Sequence, residues 1–351
     1  SEKILDVLNL SQEQKDSIGL SARRRVEEKF SLNDMLKKTL KVYEDLLSTK
    51  KILIIKFGGL GDVILSLNAI YSIFNHHKKC KMILLTEEPY DKLMHNSNWF
   101  EKIFTIRRGF FYFLDLLRIK NEIDPNEFDF VYDLQTSKRS SSYLKIFLKT
   151  KAITNGIGKY AKIPHLKKNR NKMHTLDRQK SQIEMSEVDY MSRIDIKWLF
   201  KSKFKVPKTK YVIIVPGGSK KRLNKRIPSE IFLRITDFLL KSGFQVLIIG
   251  STDDLKICNL IKSTYPDVKN YCNKTDFLDI GKLSLKSSLS IGNDTGPMHL
   301  IAKGGRKTLV LFTKFSNPKL CQPIGKNVST FIYSYDDDKF YKKIISTIEN
   351  N

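Results

Sequence analysis

Four short apolar runs in this chain each break into a turn and then a helical pattern, and that recurrence constrains the fold more than composition does. The first, Ile52-Leu53-Ile54-Ile55, is β-branched and runs directly into Lys56-Phe57-Gly58-Gly59-Leu60-Gly61-Asp62-Val63. Beyond it, Val63, Leu67, Ile70 and Phe74 recur with helical spacing. Tyr211 to Val215, Val246 to Ile249 and Ser288 to Ile291 are runs of the same kind. Strands apolar on both faces belong in parallel sheets covered by helices, so the chain from Lys51 onward reads as α/β layers.

The turns carry the chemistry. Gly58, Gly59 and Gly61 are spaced G-G-x-G, which fits neither the dinucleotide fingerprint nor a P-loop. Asp62 follows at a helix start and argues against an anion there. A carboxylate in that place is stabilised by the helix dipole, by roughly 0.3–1 kcal/mol, and above a sheet's carboxyl edge it points into the ligand crevice. Asp62 is therefore either a general base or simply the helix N-cap. About 230 residues later, Gly292-Asn293-Asp294-Thr295-Gly296-Pro297-Met298-His299 ends another strand, with Pro297 suited to a first helical position. The amides of Thr295, Gly296 and Met298 are then free for an anion, and His299, four residues after Thr295, shares its face. A third unit comprises Pro216-Gly217-Gly218-Ser219, the basic stretch Lys220, Lys221, Arg222, Lys225 and Arg226, and Pro228-Ser229-Glu230 opening a helix through Leu240. Positive charge at a strand's carboxyl end suits a departing diphosphate, although such a run is also a common solvated face.

These motifs, with Phe128-Asp129-Phe130-Val131-Tyr132-Asp133-Leu134-Gln135, resemble glycosyltransferase family 9, the heptosyltransferases of lipopolysaccharide core synthesis, from about Lys51 to Gly325. The resemblance implies an α/β GT-B fold: two Rossmann-like lobes whose parallel sheets face a central cleft. The divisions are a helical extension over residues 1–50, an acceptor lobe over 51–206 and a donor lobe over 207–351. It further implies metal-independent, inverting transfer from a nucleotide sugar, a co-substrate rather than a cofactor. The implied donor is ADP-heptose-like and the implied acceptor an anionic glycolipid or glycan. Carried over by position, Asp62 is the catalytic base. Gly217, Gly218, Ser219, Lys225, Asp294, Thr295, Gly296, Pro297 and His299 bind the donor, with Asp254, or its neighbour Asp253, near the ribose. Gly59, Gly61, Gln135, Lys138 and Arg139 bind the acceptor. Lys221 and Arg222 compete with Lys225 for the pyrophosphate. Ile227, Lys307 and Thr313 depart from the family pattern around the donor site. Lobe closure would turn on Lys205 to Lys210.

The formal net charge is +26, and residues 138–183 hold thirteen lysines or arginines against one acid, Asp177. That excess suits an anionic acceptor and peripheral contact with the cytoplasmic face of the inner membrane, at roughly 1 kcal/mol per basic residue near the surface; a solvated basic surface is the plain alternative. Arg107 to Lys120, with Phe110, Phe111, Tyr112, Phe113, Leu114, Leu116 and Leu117, is an interfacial-helix or core candidate. Nucleic acid is the rival partner, but no helix-turn-helix, zinc or RNP-like pattern supports it. The competing function class is a non-catalytic GT-B relative that binds anionic glycan or nucleic acid. Cys80, Cys258, Cys272 and Cys321 lack metal spacing, and Asp336 to Asp338 read as a solvated loop; both fit a metal-free cytoplasmic protein. No run approaches the roughly 18 apolar residues of a membrane span. Residues 1–50 read as helical throughout, with Ser31 capping the second helix. Ser21 to Leu32 and Tyr43 to Leu47 resemble the closing helices of family 4 glycosyltransferases, and the start without methionine raises the expectation of a transferase upstream.

Overall fold

The computed structural model describes residues 2–47, 50–106, 112–220 and 222–349. Arg107 to Phe111 of the interfacial candidate, and Lys221, lie outside them. Two compact units result, Ser1–Lys50 and Lys51–Asn351. The first is helical, as expected, in three segments: Glu2–Leu8, Gln12–Lys29 and Leu32–Leu47, with breaks at Ser11 and Ser31. Ser11 forms a reciprocal capping box with Gln14, and the Ser31 hydroxyl accepts the Asp34 amide at 3.1 Å. No residue of Gln12–Lys29 is buried.

The second unit holds two six-stranded sheets, all parallel. The first comprises β1 (Lys51–Ile55), β2 (Lys81–Glu87), β3 (Lys102–Ile106), β4 (Phe128–Asp133), β5 (Ile153–Gly156) and β6 (Ile163–Pro164), in the order β3-β2-β1-β4-β5-β6. The second comprises β7 (Tyr211–Val215), β8 (Gln245–Ile248), β9 (Lys269–Asn270), β10 (Leu289–Asn293), β11 (Thr308–Phe312) and β12 (Val328–Ile332), in the order β12-β11-β10-β7-β8-β9. Counted from its own first strand, each sheet has the same doubly wound order, 3-2-1-4-5-6. The strand order reverses between β1 and β4 and between β7 and β10, where α/β sheets open their ligand crevices. Ile52, Leu53, Ile54 and Ile55 of β1 are at most 1% exposed, and β7 is buried throughout, as strands covered on both faces require.

The helix Leu60–His76 packs against both the helix Thr175–Glu184 and the helix Gly296–Ala302 of the second sheet's lobe. One apolar core consequently runs through both lobes, joining Leu60, Leu67 and Ile70 to Met298, Leu300 and Ile301. The approach depends on two glycines. A Cβ on Gly61 would lie 2.7 Å from the His299 ring, and one on Gly296 would lie 2.6 Å from Leu60 Cβ. All four cysteines are free thiols, and among the described residues no helix is long and apolar enough to cross a membrane.

Leu60 Cβ is fixed by its backbone and cannot swing away. Gly296→Ala is therefore expected to lower the unfolding free energy by about 1–3 kcal/mol in urea titration, the usual cost of overpacking. Gly19→Ala, in mid-helix with nothing within 4 Å, is expected to be neutral or stabilising. Equal destabilisation by the two changes would refute this account of the lobe contact.

Candidate active site

The turns after β1, β7 and β10 enclose a cavity of about 440 Å³. Gly58, Gly59, Gly61 and Asp62 form one wall, and Gly218, Ser219, Arg222, Lys225, Asp294, Thr295, Gly296 and His299 the other. Asp62 sits in the first turn of Leu60–His76, but the N-cap is Gly59, which makes no side-chain cap bond. The capping reading of Asp62 is thereby removed. None of the described residues donates a hydrogen bond to its exposed carboxylate.

Lys225 closes the short 3-10 turn Leu223–Lys225. Its Nζ lies 3.0 Å from Asp294 Oδ2 and 2.9 Å from Ser316 Oγ, while Ser316 Oγ donates to the same Asp294 oxygen at 2.5 Å. Thr313, one of the departures from the family pattern, donates its hydroxyl to the Asn224 carbonyl at 2.9 Å and so pins the turn that presents Lys225. Arg222 also lines the cavity. Asn293 is buried and donates to the carbonyls of Pro216 and Gly217 at 2.7 and 3.0 Å, while its Oδ1 accepts the Ile227 amide at 3.1 Å. That side chain fastens the β7 and β10 turns together.

Among the described residues that line this cavity, three buried polar atoms have no protein partner: Thr295 Oγ1, His299 Nδ1 and Arg226 Nε. Such atoms need a hydrogen bond from somewhere, and here the open side is the cavity. Burial pushes His299 down to about 4, against the pull of Asp294 and Asp62, so its imidazole is neutral at pH 7.

Asp62 also lines a second cavity, of about 290 Å³, on the first lobe's side. Lys56, Gln135, Thr136, Arg170, Arg178 and Gln179 surround it. Lys56 is buried, and desolvation lowers its pKa although Asp62 and Asp133 pull the other way. Arg170 Nη2 and Gln179 Oε1 are buried without partners. Below the β4 turn, Asp133 accepts the amides of Gln135 and Thr136 at 3.1 and 2.9 Å and the Ser140 hydroxyl at 2.9 Å; burial raises its pKa to about 6.

Several expected site residues lie elsewhere. Asp254 is buried behind the donor turn, where its carboxylate accepts the amides of Gly218 and Ser251 at 2.9 Å each and meets Arg226 at 3.3 Å; Asp253 is exposed. Gly217 and Pro297 support the donor turns without lining the cavity. Gly59 and Gly61, expected against the acceptor, line the first cavity and not the second. Lys138 is exposed outside both cavities. Arg139 donates to Tyr143 at 2.7 Å, pairs with Glu87 at 3.5 Å and lies over Phe57, so it stiffens the fold behind the β1 turn. Sequence reasoning gave no role to Lys56, Arg170, Arg178 or Ser316, whereas Arg226, in the expected basic stretch, also lines the first cavity. Only Lys56 carried a local signal, a charge at the end of an otherwise apolar strand.

Residues 116–344 match glycosyltransferase family 9 (heptosyltransferase). Lipooligosaccharide heptosyltransferase 2 of Campylobacter jejuni subsp. jejuni serotype O:2 is 28% identical over 292 residues, covering 73% of this chain and 79% of that protein. Among solved structures, the family 9 glycosyl transferase of Veillonella parvula DSM 2008 superposes with a TM-score of 0.68 at 20% identity, covering 84% of this chain and 89% of its own. The E. coli heptosyltransferase WaaC with ADP gives 0.69 at 15% identity, covering 86% and 99%. These likenesses bear on the fold, which is GT-B. With the family match spanning well over half its length, the chain belongs to glycosyltransferase family 9 and is a glycosyltransferase.

Proposed function

We propose that this enzyme transfers a heptose, or a closely similar sugar, from an ADP-heptose-like donor to a lipopolysaccharide-core acceptor, with inversion and without a metal. The observation that carries the reading is the position of Asp62 in the wall common to two cavities of different chemistry. The donor side is read from Lys225, Arg222 and the unpartnered Thr295 and His299 atoms, which suit a nucleoside diphosphate. The acceptor side is read from Lys56, Arg170 and Arg178, which suit a glycan bearing carboxylate or phosphate. The relatives named lipooligosaccharide heptosyltransferase support the sugar and the acceptor class, and the E. coli heptosyltransferase WaaC solved with ADP supports the donor's nucleotide.

In the proposed step, the Asp62 carboxylate takes the proton of an acceptor hydroxyl as its oxygen attacks the anomeric carbon from the face opposite the diphosphate. The carbon–oxygen bond to the leaving group breaks in the same displacement, and the anomeric configuration inverts. Lys225 turns part of its bonding from Asp294 to the departing diphosphate, and neutral His299 offers an N–H without the cost of burying a second charge.

Titration calorimetry with ADP in the absence of divalent metal is expected to give saturable binding that weakens roughly 10- to 100-fold in Lys225→Ala, as loss of a charge-assisted hydrogen bond predicts. A folded protein that binds no nucleotide diphosphate would end the donor assignment. With a working acceptor, Asp62→Asn is expected to lower kcat by about 10²–10⁴ with little change in donor KM, and the product linkage read by NMR is expected to be inverted. Retained configuration or near-normal turnover would remove Asp62 from the role of base.

The buried histidine also sets a pH dependence. Its folded pKa of about 4 lies below the ordinary 6.5, so between those values the unfolded chain binds the extra proton and stability is lost as pH falls. Asp133, raised to about 6, acts in the opposite sense. Between pH 7 and pH 5, wild type is therefore expected to lose more unfolding free energy than His299→Gln, in which the Asp133 contribution is common to both. Parallel stability curves would mean that His299 is not buried neutral.

A further inference from the structure

The helix Tyr112–Glu122, the turn Pro125–Glu127 and the segment 145–150 enclose a groove of about 650 Å³ where β4 and β5 begin. Leu117, Ile146 and Leu148 line it, and Leu117 and Leu148 are 58% and 49% exposed. Lys120, Lys145 and Lys149 rim it. None of these lysines has a carboxylate partner among the described residues. The neighbouring acids are already engaged: Glu122 with Arg118 at 2.9 Å, Asp129 with Lys151 at 3.1 Å, and Glu127 with Lys51.

Lys145 Nζ also lies 5.0 Å over the Tyr160 ring, but none of the three ammonium groups is neutralised by a carboxylate among the described residues. Apolar side chains left in water beside such groups form a surface that complements an amphipathic anion, with hydrocarbon on the leucines and phosphate on the lysines. A net charge of +26 favours an extended anionic surface over a small ligand. We propose that this groove docks the first lobe onto a bilayer containing anionic phospholipid. The contact is peripheral, through leucine insertion and lysine–phosphate attraction. The groove lies at the amino edge of the first sheet, about 20 Å along β4 from the cleft at the carboxyl edge. An acceptor anchored in the same bilayer must therefore extend its reacting hydroxyl well clear of the headgroups. The docking assignment does not depend on the donor or acceptor reading.

The test is co-sedimentation of the whole chain with vesicles of phosphatidylcholine alone or mixed with phosphatidylglycerol. Four proteins are compared: wild type; Leu117→Asp with Leu148→Asp; Lys120→Gln with Lys145→Gln and Lys149→Gln; and a control with the same charge change elsewhere, Lys256→Gln with Lys269→Gln and Lys342→Gln. Circular dichroism and thermal melting check that each is folded. Wild type is expected to sediment with the mixed vesicles only. The groove lysine variant is expected to partition about 100-fold less, the change corresponding to ~1 kcal/mol per basic residue near the surface. The leucine variant is expected to fall at least tenfold, and the control by less than fivefold. The proposal is overturned if wild type ignores the mixed vesicles, if both groove variants bind as wild type does, or if the control loses as much as they do.

Discussion

Two helix starts held in contact by two glycines organise the cleft. Because Gly61 has no side chain, the His299 ring lies directly against the first turn of the helix that carries Asp62. Because Gly296 has none, Leu60 packs on the first turn of the helix that carries His299. The contact removes His299 from water, which keeps its imidazole neutral and leaves Nδ1 without a protein partner. Apolar packing across the lobes thus creates the polar deficit that this cavity presents to a ligand.

The identical strand order of the two sheets explains why the chemistry sits at particular strand ends. The turns after β1, β4, β7 and β10 are those beside the two points of reversal. Such turns would be mobile if left to their own backbone, and buried side chains from neighbouring strands hold them. Asn293 binds the β7 turn to β10, Asp254 supports Gly218 from behind, and Asp133 gathers the amides of the β4 turn. Ser316 and Thr313 hold Asp294 and the turn carrying Lys225. These residues fix geometry, and the residues facing the cavities do the recognition.

The strand, turn and helix units were legible because each is local: a β-branched run, a small-residue turn and a 3.6-residue repeat occupy adjacent positions. The second-lobe wall of the cavity proposed for the donor was legible for the same reason, since Asp294, Thr295, Gly296 and His299 are consecutive or one helical turn apart. The cavity proposed for the acceptor was not. Lys56, Arg170 and Arg178 come from a strand end, a short 3-10 turn and a separate helix, and nothing local distinguishes the two arginines from the many basic residues around them. Arg139 shows the converse, a basic residue at a plausible position that Glu87 and Tyr143 engage instead. Asp253 and Asp254 were indistinguishable as neighbours; burial and the Gly218 amide separate them. The break at Ser11 went unread in a segment whose composition favours helix on either side, whereas Ser31 was identified as a cap and does precede a helix.

The charges around Asp62 carry the argument one step further. Lys56, Arg170 and Arg178 share a small polar cavity with one lining carboxylate, and each pays some desolvation, which lowers its pKa. A neutral hydroxyl-rich glycan could hydrogen-bond there but would leave the excess cations uncompensated. A carboxylate or phosphate on the acceptor would neutralise them, yet in their absence it would repel Asp62, the group that must approach the neighbouring hydroxyl. The cations let two negative groups occupy one cavity, so under the proposed function they serve acceptor choice and base catalysis together.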